Sequence, residues 1–448
     1  MVGSKVYHPK WGNGIVIDTK FSNMYLYIDF SGLKLWLPRS EVEITTPYEK
    51  LKKVEFKFIP EGDYSARWLI EALKYGIVPL GGVEHFTFDR KSEIEKLKKI
   101  VSSKKKGVAI IKGEYGSGKT HLIEYMYWWA LRNGFAVSRI ELDTKDVAPH
   151  HPRCVYREIV RNLRYVYNEQ ELGFRDIMRV ALEIDLPEPH IFISPFLKVI
   201  KKHQNEPLWN WIEGEKLPRE YLDYIKYWKL PVMLDHQTAC DIYCYIITGI
   251  SYILAKLGAK KFLILLDEAE TLFHLTFTLE QRMGFYFLKG LISCAQNRQG
   301  MNSLELIEKS PLEKGKFDKY GFVHSGVRSV PYAYTMPTNL SLIMALTPTE
   351  SPWYGEFIGL VSQENIIELT PFTVQDYEEM LNKMIEIYES AYKGFRFTEK
   401  TRSELKKLIR IIDYQGIRQF IRVAIETMEL FRHHGLEGVD KELIMSER

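Results

Sequence analysis

The stretch IIKGEYGSGKTHLIEY, residues 110–125, decides the fold of this 448-residue chain. Its middle eight residues, Gly113 to Thr120, follow the spacing G-x-x-x-x-G-K-S/T. An apolar run precedes the glycines, and a segment with helical periodicity, residues 119–133, follows them. A glycine turn between a buried strand and a helix N-terminus points backbone amides and a positive dipole at anions. The stretch therefore predicts a phosphate-binding loop; the alternative is a glycine turn that matches the spacing by chance.

The predicted ligand of this loop is ATP with Mg²⁺. The glycines permit the tight backbone path by which amides approach phosphates. Lys119 is expected to reach the β- and γ-phosphates, and the Thr120 hydroxyl is expected to bind Mg²⁺. The predicted nucleotide-binding residues are Gly113, Glu114, Tyr115, Gly116, Ser117, Gly118, Lys119, Thr120 and His121.

Polar residues also follow two further apolar runs. The stretch KFLILLDEAE, residues 261–270, ends five apolar residues with Asp267 and Glu268. Adjacent acids after a buried strand are costly unless a cation or a solvent-filled cleft lies there, so Asp267 is predicted to bind Mg²⁺ and Glu268 to act as the base for the attacking water. The alternative is a strand end that reaches solvent. Thr347 follows the run LSLIMAL, residues 340–346, and either holds the water or the γ-phosphate or caps the next element.

The order of these segments predicts an α/β fold. Apolar strands alternate with helices, which is typical of a parallel sheet covered on both faces, and the chain becomes wholly helical after about residue 366. The predicted segments are a small β-barrel at 1–47, a linker at 48–62, the α/β nucleotide-binding core at 63–365, a helical lid at 366–434 and a tail at 435–448.

The first 47 residues differ from the rest because they alternate with period two between Gly and Asn breaks, as short antiparallel strands do. In MYLYIDF and LKLWLP, residues 24–30 and 33–38, the leucines lie opposite Tyr25, Tyr27 and Trp36. The opening VYHPKWGNGIVID, residues 6–18, resembles that of Tudor or KOW-like barrels. The three aromatic side chains either dock a protein or nucleic acid partner or pack on the core.

An α/β core followed by a small helical lid resembles the AAA+ ATPases, and within them the clade of origin-recognition proteins and helicase loaders. The closer resemblance is to the ATP-binding proteins of BREX phage-defence systems. The stretches that support it are RWLIEALKYGIVP, GEYGSGKTHLIEYMYWWALRNGFAVSRIEL, CVYREIVRNLR, WIEGEKLPREYL and KFLILLDEAETL. The resemblance implies Walker A at Gly113–Thr120, Walker B at Asp267 and Glu268, and sensor 1 at Thr347.

The resemblance also implies arginines that report on the nucleotide. QGIR, residues 415–418, stands where the family has G-x-x-R, so Arg418 is the implied sensor 2; because its glycine lies one position later than usual, Arg422 remains the alternative. An arginine that acts in trans within a homo-oligomer should lie on or after the helix that follows Walker B. Arg282 and Arg298 are the candidates, and surface arginine is the alternative for either.

Two functions fit these residues. The first is an AAA+ ATPase that acts on or assembles along double-stranded DNA in phage defence or replication; the second is a nucleotide-switched scaffold that regulates a protein complex without touching DNA. In the long connection 300–338, basic and aromatic residues alternate, and the candidate DNA contacts are Lys314, Lys316, Lys319 and Arg328; a solvated loop is the alternative. Four cysteines without a C-x-x-C pair and the lack of a long apolar run predict a cytoplasmic protein that does not enter a membrane. A net charge of +3 permits nucleic acid binding but does not argue for it.

Overall fold

The computed structural model describes residues 5–20, 25–30, 33–46, 63–75, 87, 90–103, 107–184, 186, 188–203, 205–234, 239–298, 330–370, 372–411 and 417–435. The chain divides into two compact units. The first comprises Met1–Phe56, Tyr167–Glu171 and Met178–Met233, and the second comprises Lys57–Val166, Leu172–Ile177 and Leu234–Arg448. No helix in the described ranges is both long and apolar enough to cross a membrane.

The strands are β1 (Lys5–His8), β2 (Gly12–Lys20), β3 (Tyr25–Phe30), β4 (Leu33–Pro38), β5 (Glu43–Thr46), β6 (Val108–Lys112), β7 (Ala136–Glu141), β8 (Arg164–Tyr167), β9 (Gln170–Gly173), β10 (Phe262–Asp267), β11 (Leu340–Leu346) and β12 (Ile366–Glu368). The helices are α1 (Asp63–Lys74), α2 (Lys91–Ser102), α3 (Lys119–Arg132), α4 (Pro152–Arg161), α5 (Phe174–Val180), α6 (Ile193–Ile200), α7 (Glu206–Ile212), α8 (Arg219–Tyr227), α9 (Cys240–Lys256), α10 (Thr271–His274), α11 (Thr278–Ala295), α12 (Pro352–Ile358), α13 (Val374–Ala391), α14 (Glu399–Ile411) and α15 (Ile417–His434).

A seven-stranded sheet carries the phosphate loop. Its order is β12-β6-β11-β10-β7-β8-β9, and the strands from β12 to β7 are parallel. Every residue of β10 and β11 is buried because α2 and α3 cover one face of the sheet and α9 and α11 cover the other. The carboxyl ends of parallel strands meet at one edge, so the residues that follow β6, β10 and β11 lie together. This arrangement confirms the predicted α/β fold class.

The helices of the lid form a core of their own. Apolar side chains of α13, α14 and α15 pack into one buried cluster, in which Tyr388, Leu405 and Phe420 represent the three helices. Leu69 and Leu73 of α1 belong to the same cluster, although α1 precedes the sheet in the sequence. The capping box of Thr373 and Asp376 fixes the first turn of α13. The helices within the predicted lid, 366–434, thus share a hydrophobic core with α1, whereas β12 at the start of that range belongs to the sheet.

The first unit contains the predicted all-β segment. Its antiparallel strands follow the order β4-β3-β2-β1-β5, and Leu26 and Ile28 lie in the core as the alternation predicts. Gly14 is required there because a Cβ atom would lie 2.5 Å from Ile28 Cγ2. Trp36 stacks on Tyr27 with ring centroids 4.9 Å apart. Leu33, expected on the core side, is 43% exposed because it begins the edge strand.

Candidate nucleotide site

The loop between β6 and α3 has the shape that its glycines predict. Gly116 and Gly118 adopt φ angles of 78° and 94°, which other residues rarely adopt. A Cβ atom on Gly113 would lie 2.5 Å from Ser117 Oγ, so only glycine lets the loop close on itself. The loop brings Glu114 and Tyr115 to its exposed tip, where Tyr115 is 78% exposed.

Lys119 is held at the centre of this loop. Its Nζ donates hydrogen bonds to Gly113 O at 3.0 Å, to Glu114 O at 3.2 Å and to Thr347 Oγ1 at 2.9 Å. Phosphate oxygens are stronger acceptors for an ammonium than carbonyl or hydroxyl oxygens, so the pre-positioned cation fits a nucleotide phosphate. The third bond also places Thr347, the residue after β11, beside the loop. Thr120 is half-buried in the first turn of α3.

The two acids lie at the end of β10, and β11 separates that strand from β6. Asp267 is 1% exposed, and its Oδ1 accepts a hydrogen bond from the backbone N–H of Glu268 at 3.2 Å. Glu268 adopts a φ of 54°, and the following residue, Ala269, donates to Ala345 O at 2.9 Å. This left-handed turn at a non-glycine residue is typical of functional sites, where the surrounding bonds hold a strained backbone.

A half-buried basic residue that the sequence did not reveal holds Asp267. Arg139 of β7 places NH2 3.5 Å from Asp267 Oδ2 and NH1 2.7 Å from Glu124 Oε1. Glu124 lies on α3, one turn after Thr120, so Arg139 ties the helix of the phosphate loop to the acidic strand end. Burial, the largest cause, raises the pKa of Glu124, and the Arg139 guanidinium opposes that rise. In the sequence, the only indication of this role is that Arg139 is a charged residue within a largely apolar strand.

Glu268 has the electrostatics of a proton acceptor that works near neutral pH. Burial above all, and then the charges of Glu270 and Asp267, raise its pKa to about 7, although Lys119 opposes the rise. Glu270 is 4% exposed, and its Oε2 has no hydrogen-bond partner among the described residues. Among the described residues, no three acidic, histidine or cysteine side chains are grouped so that they could hold a metal ion by themselves. Asp267 and Thr120 are the residues that would hold Mg²⁺.

His121 completes the start of α3 as a neutral side chain. Its Nε2 lies 2.9 Å from Thr87 Oγ1. Burial, and then the charge of Arg90, lower the pKa of His121 to about 4. The imidazole therefore adds no charge to the phosphate loop at neutral pH.

The predicted arginines are in different environments. Arg418 is the second residue of α15, and its side chain lies outside the described part of the structure. Arg422 forms an exposed ion pair with Glu426 of the same helix at 2.8 Å. Arg282 is half-buried on α11. Arg298 donates to Gln296 Oε1 at 2.8 Å and to Leu360 O at 2.9 Å, and burial lowers its pKa. Lys314, Lys316, Lys319 and Arg328 lie outside the described residues. Their roles stay predictions.

The chain is similar to several solved structures. The Aeropyrum pernix Orc1 protein in complex with DNA has a TM-score of 0.36 and 12% identity, and the match covers 81% of this chain and 65% of that chain. The Drosophila ORC bound to DNA has a TM-score of 0.35 and 12% identity, with 84% of this chain and 68% of that chain covered. Cdc6p from Pyrobaculum aerophilum has a TM-score of 0.34 and 11% identity, with 79% of this chain and 63% of that chain covered. The chain thus spans less than two thirds of the first and third of these proteins.

No curated protein matches the chain. The family model that matches describes the BREX system ATP-binding protein BrxC/D, and the match covers residues 63–180. These residues run from α1 to α5 and include the phosphate loop. Over this segment the chain is similar to the BrxC/D ATP-binding family, as the sequence predicted.

Proposed function

We propose that this protein binds ATP with Mg²⁺ and hydrolyses it to ADP and phosphate. The observation that carries the proposal is the 2.9 Å hydrogen bond between Lys119 Nζ and Thr347 Oγ1. It joins the phosphate loop to the end of β11, the strand beside the one that ends in Asp267 and Glu268. Lys119, Asp267 and Glu268 therefore lie at one sheet edge. We assign to them the three roles that phosphoryl transfer needs, which are a cation for the phosphates, a metal-binding acid and a base.

Each residue has a distinct role in the proposed reaction. Thr120 and Asp267 hold Mg²⁺, which neutralises charge on the phosphates when bound. Lys119 stabilises the charge of the γ-phosphoryl group. Glu268 accepts a proton from the attacking water, whose oxygen bonds to the γ-phosphorus as the bond to the β–γ bridging oxygen breaks. Thr347 orients Lys119.

The test compares wild-type protein with Glu268→Gln for ATP affinity, by calorimetry, and for phosphate release. We expect the variant to bind ATP·Mg²⁺ as wild type does and to release phosphate about 10²–10⁴-fold more slowly, the usual contribution of a general base. Glu356→Gln, at an exposed acid of α12, is the matched control and should keep the wild-type rate. A wild-type protein that does not bind ATP would overturn the proposal.

The proposed macromolecular partner is double-stranded DNA. Support comes from the sequence resemblance and from the basic and aromatic residues of segment 300–338. Gel shifts with long duplex DNA, at low and moderate salt and with or without ATP, test it. Replacing Lys314, Lys316, Lys319 and Arg328 together with glutamine should weaken binding and its salt dependence, because each phosphate contact releases counterions.

The alternative is a nucleotide-switched scaffold that never binds DNA. Slow turnover suits such a switch because each nucleotide state then persists long enough to change an assembly. Its signature is a change in oligomer size with ATP in the absence of DNA, together with no gel shift under any condition. The sequence resemblance to BREX proteins favours a role in phage defence over one in replication for either function.

A further inference from the structure

Arg90 is a buried cation that no step of the proposed reaction uses. It stands immediately before α2 and is 4% exposed. Its NH1 donates to Glu93 Oε1 at 3.1 Å. Its NH2 donates to two backbone carbonyls, Ser117 O at 3.3 Å and Thr370 O at 2.9 Å. Burying a guanidinium costs free energy unless its donors are hydrogen-bonded. The NH2 group of Arg90 meets this need by bridging the two carbonyl oxygens.

The two carbonyls belong to parts of the chain that perform different tasks. Ser117 lies in the phosphate loop. Thr370 lies between β12, which ends at Glu368, and α13, which begins at Val374, so it belongs to the segment that leads from the sheet to the lid. Leu369, just before it, donates to Lys112 O at 2.8 Å and anchors this segment to the strand of the phosphate loop. Arg90 therefore connects the loop to the start of the lid.

The ring of Phe372 extends this connection into the lid. Arg90 Cζ lies 4.4 Å from the centroid of that ring, within the range of a cation–π interaction. On its other sides, Phe372 packs against the lid cluster and lies 5.9 Å, centroid to centroid, from Tyr377 of α13. Tyr377 in turn lies 4.6 Å from Phe420 of α15. This path ends two residues from Arg418.

The same ring also lies near the phosphate loop. A Cβ atom added to Gly118 would lie 3.9 Å from Phe372 Cε2. The glycine itself has no such atom, and the hydrogen bond from Arg90 to Ser117 O is a direct contact of the loop with the residue that also bonds Thr370 O at the start of the lid. A shift of the loop backbone on phosphate binding would act on this hydrogen bond.

We propose that Arg90 is a positioning residue that couples phosphate binding in the loop 113–120 to the position of the lid. The inference rests on the proposed ATP binding and adds a regulatory element to that site. A shift of the Ser117 carbonyl moves the shared NH2 donor, and Thr370 and Phe372 must follow or lose their partner. Coupling between sites is typically about 5- to 150-fold in affinity, and one shared guanidinium falls within that range.

The test is hydrogen exchange of the full chain with and without a non-hydrolysable ATP analogue and Mg²⁺. In wild type, we expect the analogue to slow exchange of the amides of α13 and α15 at least fivefold. Arg90→Lys keeps the charge but loses the planar guanidinium, which bonds Glu93 and the two carbonyls through separate nitrogens while it lies over the Phe372 ring. This variant should still bind the analogue, with an affinity lower by fivefold or more, and should lose most of the protection in the lid.

Two further variants keep the test sharp. Lys96→Met is the matched control, because Lys96 of α2 also donates to a backbone carbonyl, Ile366 O at 3.2 Å, but that carbonyl stands at the start of β12 and not after its end. It should keep the wild-type protection. Phe372→Leu should weaken the protection if Arg90→Lys does not fold.

The outcomes separate the two proposals. A wild-type protein that does not bind the analogue contradicts the proposed function. A wild-type protein that binds it without protecting the lid overturns the role of Arg90. Full protection in Arg90→Lys, or in Phe372→Leu where Arg90→Lys does not fold, also overturns that role.

Discussion

The ends of β6 and β10 lie at the same sheet edge, yet they are stabilised in opposite ways. After β6, one cation, Lys119, has three oxygen acceptors. After β10, three acids crowd together, Glu268 has a pKa raised to about 7, and Glu270 keeps an oxygen without a partner in the described residues. The first end is complete without a ligand, whereas the second has an excess of negative charge. The loop is therefore preorganised, whereas binding a proton relieves the repulsion at the acidic end.

At the β6 end, removing the cation should have the largest effect. We expect Lys119→Met to lower kcat/KM for ATP about 10²–10³-fold, because an oriented charge that stabilises the transition state is lost. The measurement is steady-state phosphate release over a range of ATP concentrations. Lys112→Met is the control, since Lys112 pairs with exposed Glu368 at 2.7 Å and should change the rate less than about twofold. Equal effects of the two variants would contradict the role of Lys119.

The raised pKa of Glu268 should determine how kcat/KM depends on pH. The base must be ionised to accept a proton, and the pKa of Glu268 in the free protein is about 7. We therefore expect kcat/KM to fall about tenfold per pH unit below that value. Glu270→Gln removes a neighbouring negative charge and should move this limb to lower pH. If the apparent pKa of this acidic limb lies near the ordinary value of a carboxyl group in both wild type and Glu270→Gln, the neighbouring acids do not raise the pKa of Glu268.

Stability gives a second view of the same acid. The folded-state pKa of Glu268, about 7, lies above the usual glutamate value of 4.5, so the folded protein penalises the ionised form. Wild-type stability should decrease as pH rises from 4.5 to 7. Glu268→Gln lacks this penalty, and we expect its Tm to exceed that of wild type by a few degrees at pH 8 and to approach it at pH 4.5. Calorimetric scans of both proteins across this range make the comparison.

Arg139 is the cation of the acidic end, and its loss should destabilise the protein. Arg139→Met leaves Asp267 and Glu124 without their partner. We expect the free energy of unfolding to fall by about 1–3 kcal/mol, less than for a fully buried pair because Arg139 keeps some contact with solvent. Arg422→Met, which removes the exposed pair with Glu426, should change it by less than about 0.5 kcal/mol. Denaturant titrations measure both, and similar losses would contradict the account.

Thr347 should have the smallest effect, because it supplies one of three acceptors to Lys119. We expect Thr347→Val to lower kcat/KM about two- to tenfold, the range for one hydrogen bond. Thr349→Val, on the same connection two residues later, is the control. A loss as large as that of Lys119→Met would mean that Thr347 has a role of its own in the reaction.

The sequence was most informative where function depends on local backbone. The glycine spacing determines the loop and the start of α3, and the apolar runs before Asp267 and Thr347 place these residues at strand ends. Contacts between distant segments were not predictable in this way. Arg139 meets Glu124 and Asp267 only because β7 lies beside β10, which a periodicity of two cannot reveal.

Arg90 and α1 make the same point. Arg90 reads as an ordinary basic residue before a helix, and its partner Thr370 is 280 positions away. The pattern of α1 indicates an amphipathic helix, but not that its apolar face joins α13 and α15. Long-range partners depend on the packing of whole elements, so residues that position others are harder to find than residues that bind phosphate.

The central claim is that the two strand ends act on one nucleotide, and a double-mutant cycle tests it most directly. It measures kcat/KM for ATP in wild type, Lys119→Met, Glu268→Gln and the double variant. Residues that act as a unit are non-additive, so we predict that the double variant loses little more than the worse single variant. Losses that multiply, or a Glu268→Gln protein as active as wild type, would contradict the claim.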